Sequence, residues 1–175
     1  RGSIRVWISG DNDKSTTVMA AEGLTATVGR TVRTLPTGPD YRAWRVQADR
    51  GATAVHRLDA KGVWQRYRLP TGPAGVFRAS SGIVRIVLPT GASQELRGSV
   101  IAHNDAGAVK TVLDSSMESY LRSVVPAEMP ASWHVRALSA QAVAARTYAA
   151  SYRQRQRAKG ALWDICDSQA CQVFK

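Results

Sequence analysis

One carboxylate in this chain sits in a setting that could make it do chemistry. In Val124-Val125-Pro126-Ala127-Glu128-Met129-Pro130, Glu128 lies in a short segment bounded by two residues of fixed φ, which gives its side chain a rigid mount. A carboxyl so held can protonate a leaving oxygen and, once ionised, accept a proton back. A glutamate that only caps or solvates a loop would read the same from these residues alone. Chemistry that uses a pair of carboxyls needs a second one, and Asp114, Asp164 and Asp167 are candidates that spacing does not place. Cys166 and Cys171 are separated by four residues, wider than the two-residue spacer of thioredoxin-like redox pairs. That leaves a local disulfide, free thiols or part of a zinc site.

The elements that must position Glu128 are helical. Ser115 followed by Glu118 has the form of a capping box, and Met117, Tyr120, Leu121 and Val124 make one apolar stripe behind it. Pro126 is expected to stop this helix near Val124, because proline disfavours helical geometry at the residue before it. A second helix is predicted to begin after Ser132 and to run through an alanine-rich stretch to about Lys159, with Gly160 just beyond its end. Arg153, Arg155, Arg157 and Lys159 then complement the negative end of its dipole, which accounts for the charge run without a ligand. On this helix Gln141, Ala145, Tyr148 and Tyr152 fall on one stripe, whereas Ser139, Arg146 and Arg153 fall on another. Both stripes cannot face one cleft, so Arg146 is expected to brace the Glu128 segment by a salt bridge. Tyr148 and Tyr152 read equally well as packing residues.

Ahead of these helices the pattern is that of a β region. Short runs of β-branched and aromatic residues are divided by Gly, Pro, Asn and Asp, and predict strands at 4–8, 16–20, 24–28, 43–48, 63–69, 82–88, 96–102 and 109–113. Ile4, Val6 and Ile8 alternate with Arg5 and Trp7, as in a half-buried strand. Leu-Pro-Thr-Gly, starting at Leu35, Leu69 and Leu88, recurs at unequal spacing and reads as a strand end entering a turn. The net charge of +11 favours an anionic partner without naming it. Nucleic acid is not expected, since the aromatic residues are scattered instead of interleaved with the basic ones. No run approaches the ~18 apolar residues of a membrane span, and the first residues lack a signal peptide's apolar stretch.

The stretch from Met117, Met-Glu-Ser-Tyr-Leu-Arg-Ser-Val-Val-Pro-Ala-Glu-Met-Pro, followed from Ala137 by Ala-Leu-Ser-Ala-Gln-Ala-Val-Ala-Ala-Arg-Thr-Tyr, resembles the stage II sporulation protein D family, also called SpoIID/LytB. Leu96-Arg97-Gly98-Ser99 is similar to the family's Tyr-Arg-Gly element, and Cys171-Gln172-Val173-Phe174 to its Cys-Gln-Val-Tyr element. The resemblance implies an exported or membrane-anchored lytic transglycosylase, acting outside the cytoplasm on peptidoglycan glycan strands stripped of their stem peptides by an amidase. Carried over by position, Glu128 is the catalytic glutamate, and Gln141, Arg146 and Tyr148 line or support the cleft. Ser139 stands where family members often have Lys, which removes one charged contact. Some lineages bind zinc through cysteines with a histidine beside the second. Here Ala170 is the neighbour, so no metal or other cofactor is expected.

A noncatalytic wall-binding protein that positions or stimulates an amidase is the other reading the family allows. Its domain continues past the Cys-Gln-Val-Tyr element, so the chain is expected to be cut short at its C-terminus, with any export signal or anchor removed. The fold expected is α+β: a β-rich region over 1–113, part of or accessory to the catalytic domain, packed with a helical catalytic motif over 114–175 that contains the long alanine-rich helix.

Overall fold

The computed structural model describes residues 2–11 and 13–171. In chain order the elements are β1 (Ser3–Trp7), β2 (Ser15–Met19), β3 (Leu24–Val28), β4 (Thr31–Thr34), β5 (Ala43–Asp49), β6 (Ala52–Leu58), β7 (Trp64–Arg66) and β8 (Ala74–Ala79). There follow β9 (Ile83–Val87), β10 (Ser93–Arg97), β11 (Ser99–Asp105), β12 (Ala108–Ser116), α1 (Met117–Glu128), α2 (Val135–Ala158) and β13 (Ile165–Cys166). The fold is α+β, and it divides into two compact units. One comprises Gly10–Val112 and the other Arg1–Ser9 with Leu113–Lys175.

The β unit holds two sheets. One is a six-stranded sheet in the order β10-β9-β2-β5-β6-β7, paired antiparallel throughout. In the other, β8 lies between β3 and β11, and β4 pairs with the outer edge of β3. Alternation along the strands sends Val18, Trp44, Val46, Phe77, Val84, Ile86 and Val100 into the core, each at most 1% exposed. Each fully buried aliphatic or aromatic side chain of this kind contributes about 1.5–3 kcal/mol. Gly75 on β8 is there for close approach: a Cβ would stand 2.8 Å from Cγ2 of Val46 on β5. The strand predicted at 96–102 is two strands, broken at Gly98, whose φ of 145° lies outside what a side-chain-bearing residue readily adopts.

The helical unit is built on β1, which pairs in parallel with β13, Val6 opposite Ile165 and Trp7 opposite Cys166. Ile4, Val6 and Ile165 are buried here together with Met117, Tyr120, Leu121 and Val124 of α1. Against α1 packs α2, whose only buried residues are Ala145 and Ala149, so the helices approach through methyl groups. Asp164, fully buried, joins three parts of this unit. It accepts from the Arg5 backbone N–H at 2.9 Å and from the Arg157 guanidinium at 2.9 and 3.0 Å. That carboxylate holds the Arg157 guanidinium above its ordinary value, chiefly through the hydrogen bond. Arg157 is therefore an ion-pair partner as well as a dipole complement.

Two local expectations are corrected. The N-cap of α1 is Ser116 in place of Ser115, and its hydroxyl accepts from the Ser119 N–H at 3.1 Å. Ser115 is instead a buried residue at the end of β12. Nor does Pro126 stop α1 near Val124, since the helix continues through it to Glu128. A proline deletes one helical donor, and here the next turn still closes, with the Met129 N–H donating to the Val125 carbonyl at 3.0 Å. The buried stripe ending at Val124 pins the preceding turns. For α2 the observed limits agree with the sequence: His134 caps its start, and Gly160 follows its end at a φ of 70°. Among the described residues no helix is long and apolar enough to cross a membrane.

Candidate functional site

Within the helical unit, the last turn of α1, one face of α2 and the loop after β13 border an open cleft of about 550 Å³. It is lined by Glu128, Gln141, Ala144, Ala145, Tyr148, Gln169 and Cys171. Gln141, Ala145 and Tyr148 share a stripe because they are four and three residues apart on α2. Glu128 reaches the same cleft from the C-terminal end of α1, where its side chain is exposed. It is a helical residue, not one held in a loop between two prolines.

The polar groups around Glu128 are phenols and amides. Tyr120, buried on α1, has its phenol pushed up by burial, with Tyr148 and Glu128 acting in the same direction. Tyr148 is raised as well, first by its hydrogen bond with Tyr152 and then by burial. The Tyr148 and Tyr152 rings lie 4.7 Å apart between centroids, and the Arg155 guanidinium sits 4.7 Å from the Tyr152 ring. Both Tyr120 and Tyr148 are therefore neutral hydrogen-bonding groups at physiological pH.

Arg146 does not brace Glu128. It makes a two-pronged ion pair with Glu118, at 2.5 and 2.9 Å, on the other side of α2. The helix turns the 146 and 153 positions away from the 141 and 148 stripe. Arg146 and Arg153 line a separate hollow of about 950 Å³ with Gly2, Asp114 and Glu118. Ser139 is exposed on α2 and lines neither space.

Of the three aspartates that could have supplied a second carboxylate, none lines the Glu128 cleft. Asp164 is consumed by Arg5 and Arg157. Asp167 accepts from the Ser9 N–H at 3.0 Å and from the Ser9 hydroxyl. Asp114 belongs to the other hollow. Among the described residues lining the cleft, Glu128 is the one carboxylate.

Cys166 and Cys171 are joined as a disulfide. Of the three states left open by their spacing, the free thiols and the zinc site are overturned, because neither sulfur remains as a thiolate ligand. Among the described residues no group of three His, Cys, Asp or Glu is placed to hold a metal ion. The disulfide closes the loop that carries Gln169 to the cleft, and Cys171 is itself part of the wall. Gln169 escaped the sequence reading because it lies in what looked like a spacer between the cysteines. Gln172, Val173 and Phe174 lie outside the described residues.

Compared with known proteins, residues 105–175 match the family model SpoIID, Stage II sporulation protein, so the resemblance read from the motif is borne out over that stretch. The chain is also similar to an uncharacterized protein of Brachyspira hyodysenteriae, 39% identical over 74 residues, which is 42% of this chain and 19% of that protein. The match thus spans about a fifth of the relative's length. No solved structure matches the chain.

Proposed function

We propose that this chain, whose residues 105–175 belong to the SpoIID family, cleaves peptidoglycan glycan strands stripped of stem peptides by a lytic transglycosylase step. The family ties the protein to a cell-wall-related role. The observation that supports the lytic step is that Glu128 is the one carboxylate among the described residues lining the cleft with Gln141 and Tyr148.

In the reaction proposed, Glu128 as the neutral acid gives its proton to the glycosidic oxygen between N-acetylmuramic acid and N-acetylglucosamine, and the bond from C1 to that oxygen breaks. The C6 hydroxyl of the muramic residue attacks C1, and its proton passes to the Glu128 carboxylate. A 1,6-anhydro ring forms, no water is consumed, and the acid is restored. The strand covers the exposed Glu128 and excludes water during this exchange. Gln141 and Gln169 offer amide donors and acceptors to N-acetyl groups and hydroxyls, while Tyr148 offers a ring face to the sugar. The Cys166–Cys171 disulfide fits an oxidising compartment outside the cytoplasm.

The test is mass spectrometry of denuded glycan after incubation with the chain and with Glu128→Gln. The unaltered chain yields 1,6-anhydro ends. The variant, folded by circular dichroism, loses them by ~100-fold or more. Products with only reducing ends would replace this reading with hydrolysis. Stimulation of an amidase without any glycan cleavage would favour the noncatalytic wall-binding alternative.

A further inference from the structure

The outer face of the six-stranded sheet carries an arrangement that the helical unit's chemistry does not use. Antiparallel register sets Arg45 of β5 directly opposite His56 of β6, and His56 directly opposite Arg66 of β7. Three basic side chains therefore stand in one row on one face, across two inter-strand gaps or roughly 10 Å. Arg45 and Arg66 thus stand two strands apart on one face, with His56 between them. The local compensation is partial: Arg66 reaches Asp49 at 2.8 Å, while Arg45 Nε donates to the neutral Thr17 hydroxyl at 3.1 Å and has Asp13 as an electrostatic partner. The Arg45 guanidinium is held below its ordinary value by burial. His56 is lowered too, by burial first, with Arg66 and Arg45 adding to it.

Two residues along the strands, the same face carries a second row, Met19, Ala43, Leu58 and Trp64, set opposite one another in register. Met19 is 37% exposed, and Leu58 and Trp64 are half-buried. Arg45 links the rows, its guanidinium lying 4.0 Å from the centroid of the Trp64 ring. A basic row beside an apolar row suits a ligand with acidic groups along one edge and C–H surface along the other. We infer that the outer face of β2, β5, β6 and β7 binds an anionic polysaccharide, its carboxylates or phosphates on Arg45, His56 and Arg66 and its sugar faces on Met19, Leu58 and Trp64. Charge complementarity selects this occupant, because the row concentrates positive charge on a chain already at +11. A nucleic acid fits less well: successive bases need a series of aromatic platforms, and the row Met19, Ala43, Leu58, Trp64 offers one aromatic side chain.

This inference does not depend on Glu128. Its test is titration of the whole chain with polygalacturonate, phosphorylated dextran, neutral dextran and a single-stranded oligonucleotide of matched charge, followed by tryptophan fluorescence and calorimetry. One or both acidic polysaccharides bind, which tells carboxylate from phosphate preference, and neutral dextran does not. Arg45→Gln with Arg66→Gln weakens binding at least about tenfold, while removing the same charge elsewhere, Arg30→Gln with Arg33→Gln, changes it less than about twofold. In the unaltered chain the His56 imidazole signal moves toward its protonated position as polymer is added, a readout that needs no variant. Equal losses from both double variants, a stationary His56 signal during binding, or tighter binding of the oligonucleotide through the same residues would each overturn the assignment.

Discussion

Each unit holds an aspartate that is at most 1% exposed, and these two are handled in opposite ways. In the helical unit, Asp164 is fully buried and meets two arginines and a backbone N–H. In the β unit, Asp11 is 1% exposed and meets a hydroxyl, with Thr111 Oγ1 donating at 2.6 Å. Burial pushes the Asp11 carboxyl up to about 6, against the lowering by Thr111 and with help from Asp13. A carboxylate supplied with cations can serve as a structural tie. One met by a hydroxyl instead favours its proton and makes its unit sensitive to pH.

That contrast can be broken at either aspartate. Asp164→Asn should cost about 3 kcal/mol, because it leaves guanidinium groups without their partner in a partly dry site. Hydrogen exchange in β1 and the end of α2 would report the loss, and protection within about 0.5 kcal/mol of the parent would deny Asp164 its role. Asp11→Asn should act the other way at neutral pH. Since the folded carboxyl binds its proton more tightly than the unfolded one, with a value of about 6 against 3.8, its contribution to stability is present at low pH and is lost as pH rises through about 6. Asn keeps an acceptor for Thr111 without a charge to bury. A gain of about 1–2 kcal/mol at neutral pH is expected, with a flatter stability profile between about pH 4 and 6, measured by urea unfolding. An unchanged slope would mean that other groups set it. The smallest effect belongs to Arg146→Gln. Its pair with Glu118 is open to solvent and lies on the face of α2 turned from Glu128, so melting temperature and glycan cleavage should barely move. Loss of cleavage there would undo the separation of the two faces.

Much of the helical unit was legible because its signals are local. The stripe from Met117 to Val124, the alanine-rich run and Gly160 each depend on neighbours within a turn or two. The stripe arithmetic on α2 also separated Gln141 and Tyr148 from Arg146. What failed were competitions between close alternatives: Ser115 against Ser116 as cap, and Pro126 as stop against Pro126 tolerated near a pinned helix end. In the β unit, β6 went unread because Ala54 and Val55 are buried in succession, which erases the alternation a strand is known by. The pairing of β1 with β13 joins positions 159 residues apart, Val6 with Ile165, and nothing local announces it. Arg146 looked free to reach Glu128 because a helical wheel gives direction but no partner. The row on β5, β6 and β7 was equally hidden, since register alone brings Arg45, His56 and Arg66 abreast.

The alanines of α2 entered as helix formers, chosen by propensity. Ala144 and Ala145 also border the Glu128 cleft, where a side chain ends one carbon from the backbone. The hollow there is as much the work of atoms left out as of atoms put in. Leucine at position 144 would serve the helix nearly as well and would occupy the room a sugar needs. A run that looks like low-information filler thus carries a steric message, one that hydrophobicity and helix scales leave unread because they score what a residue contributes and never what it leaves vacant.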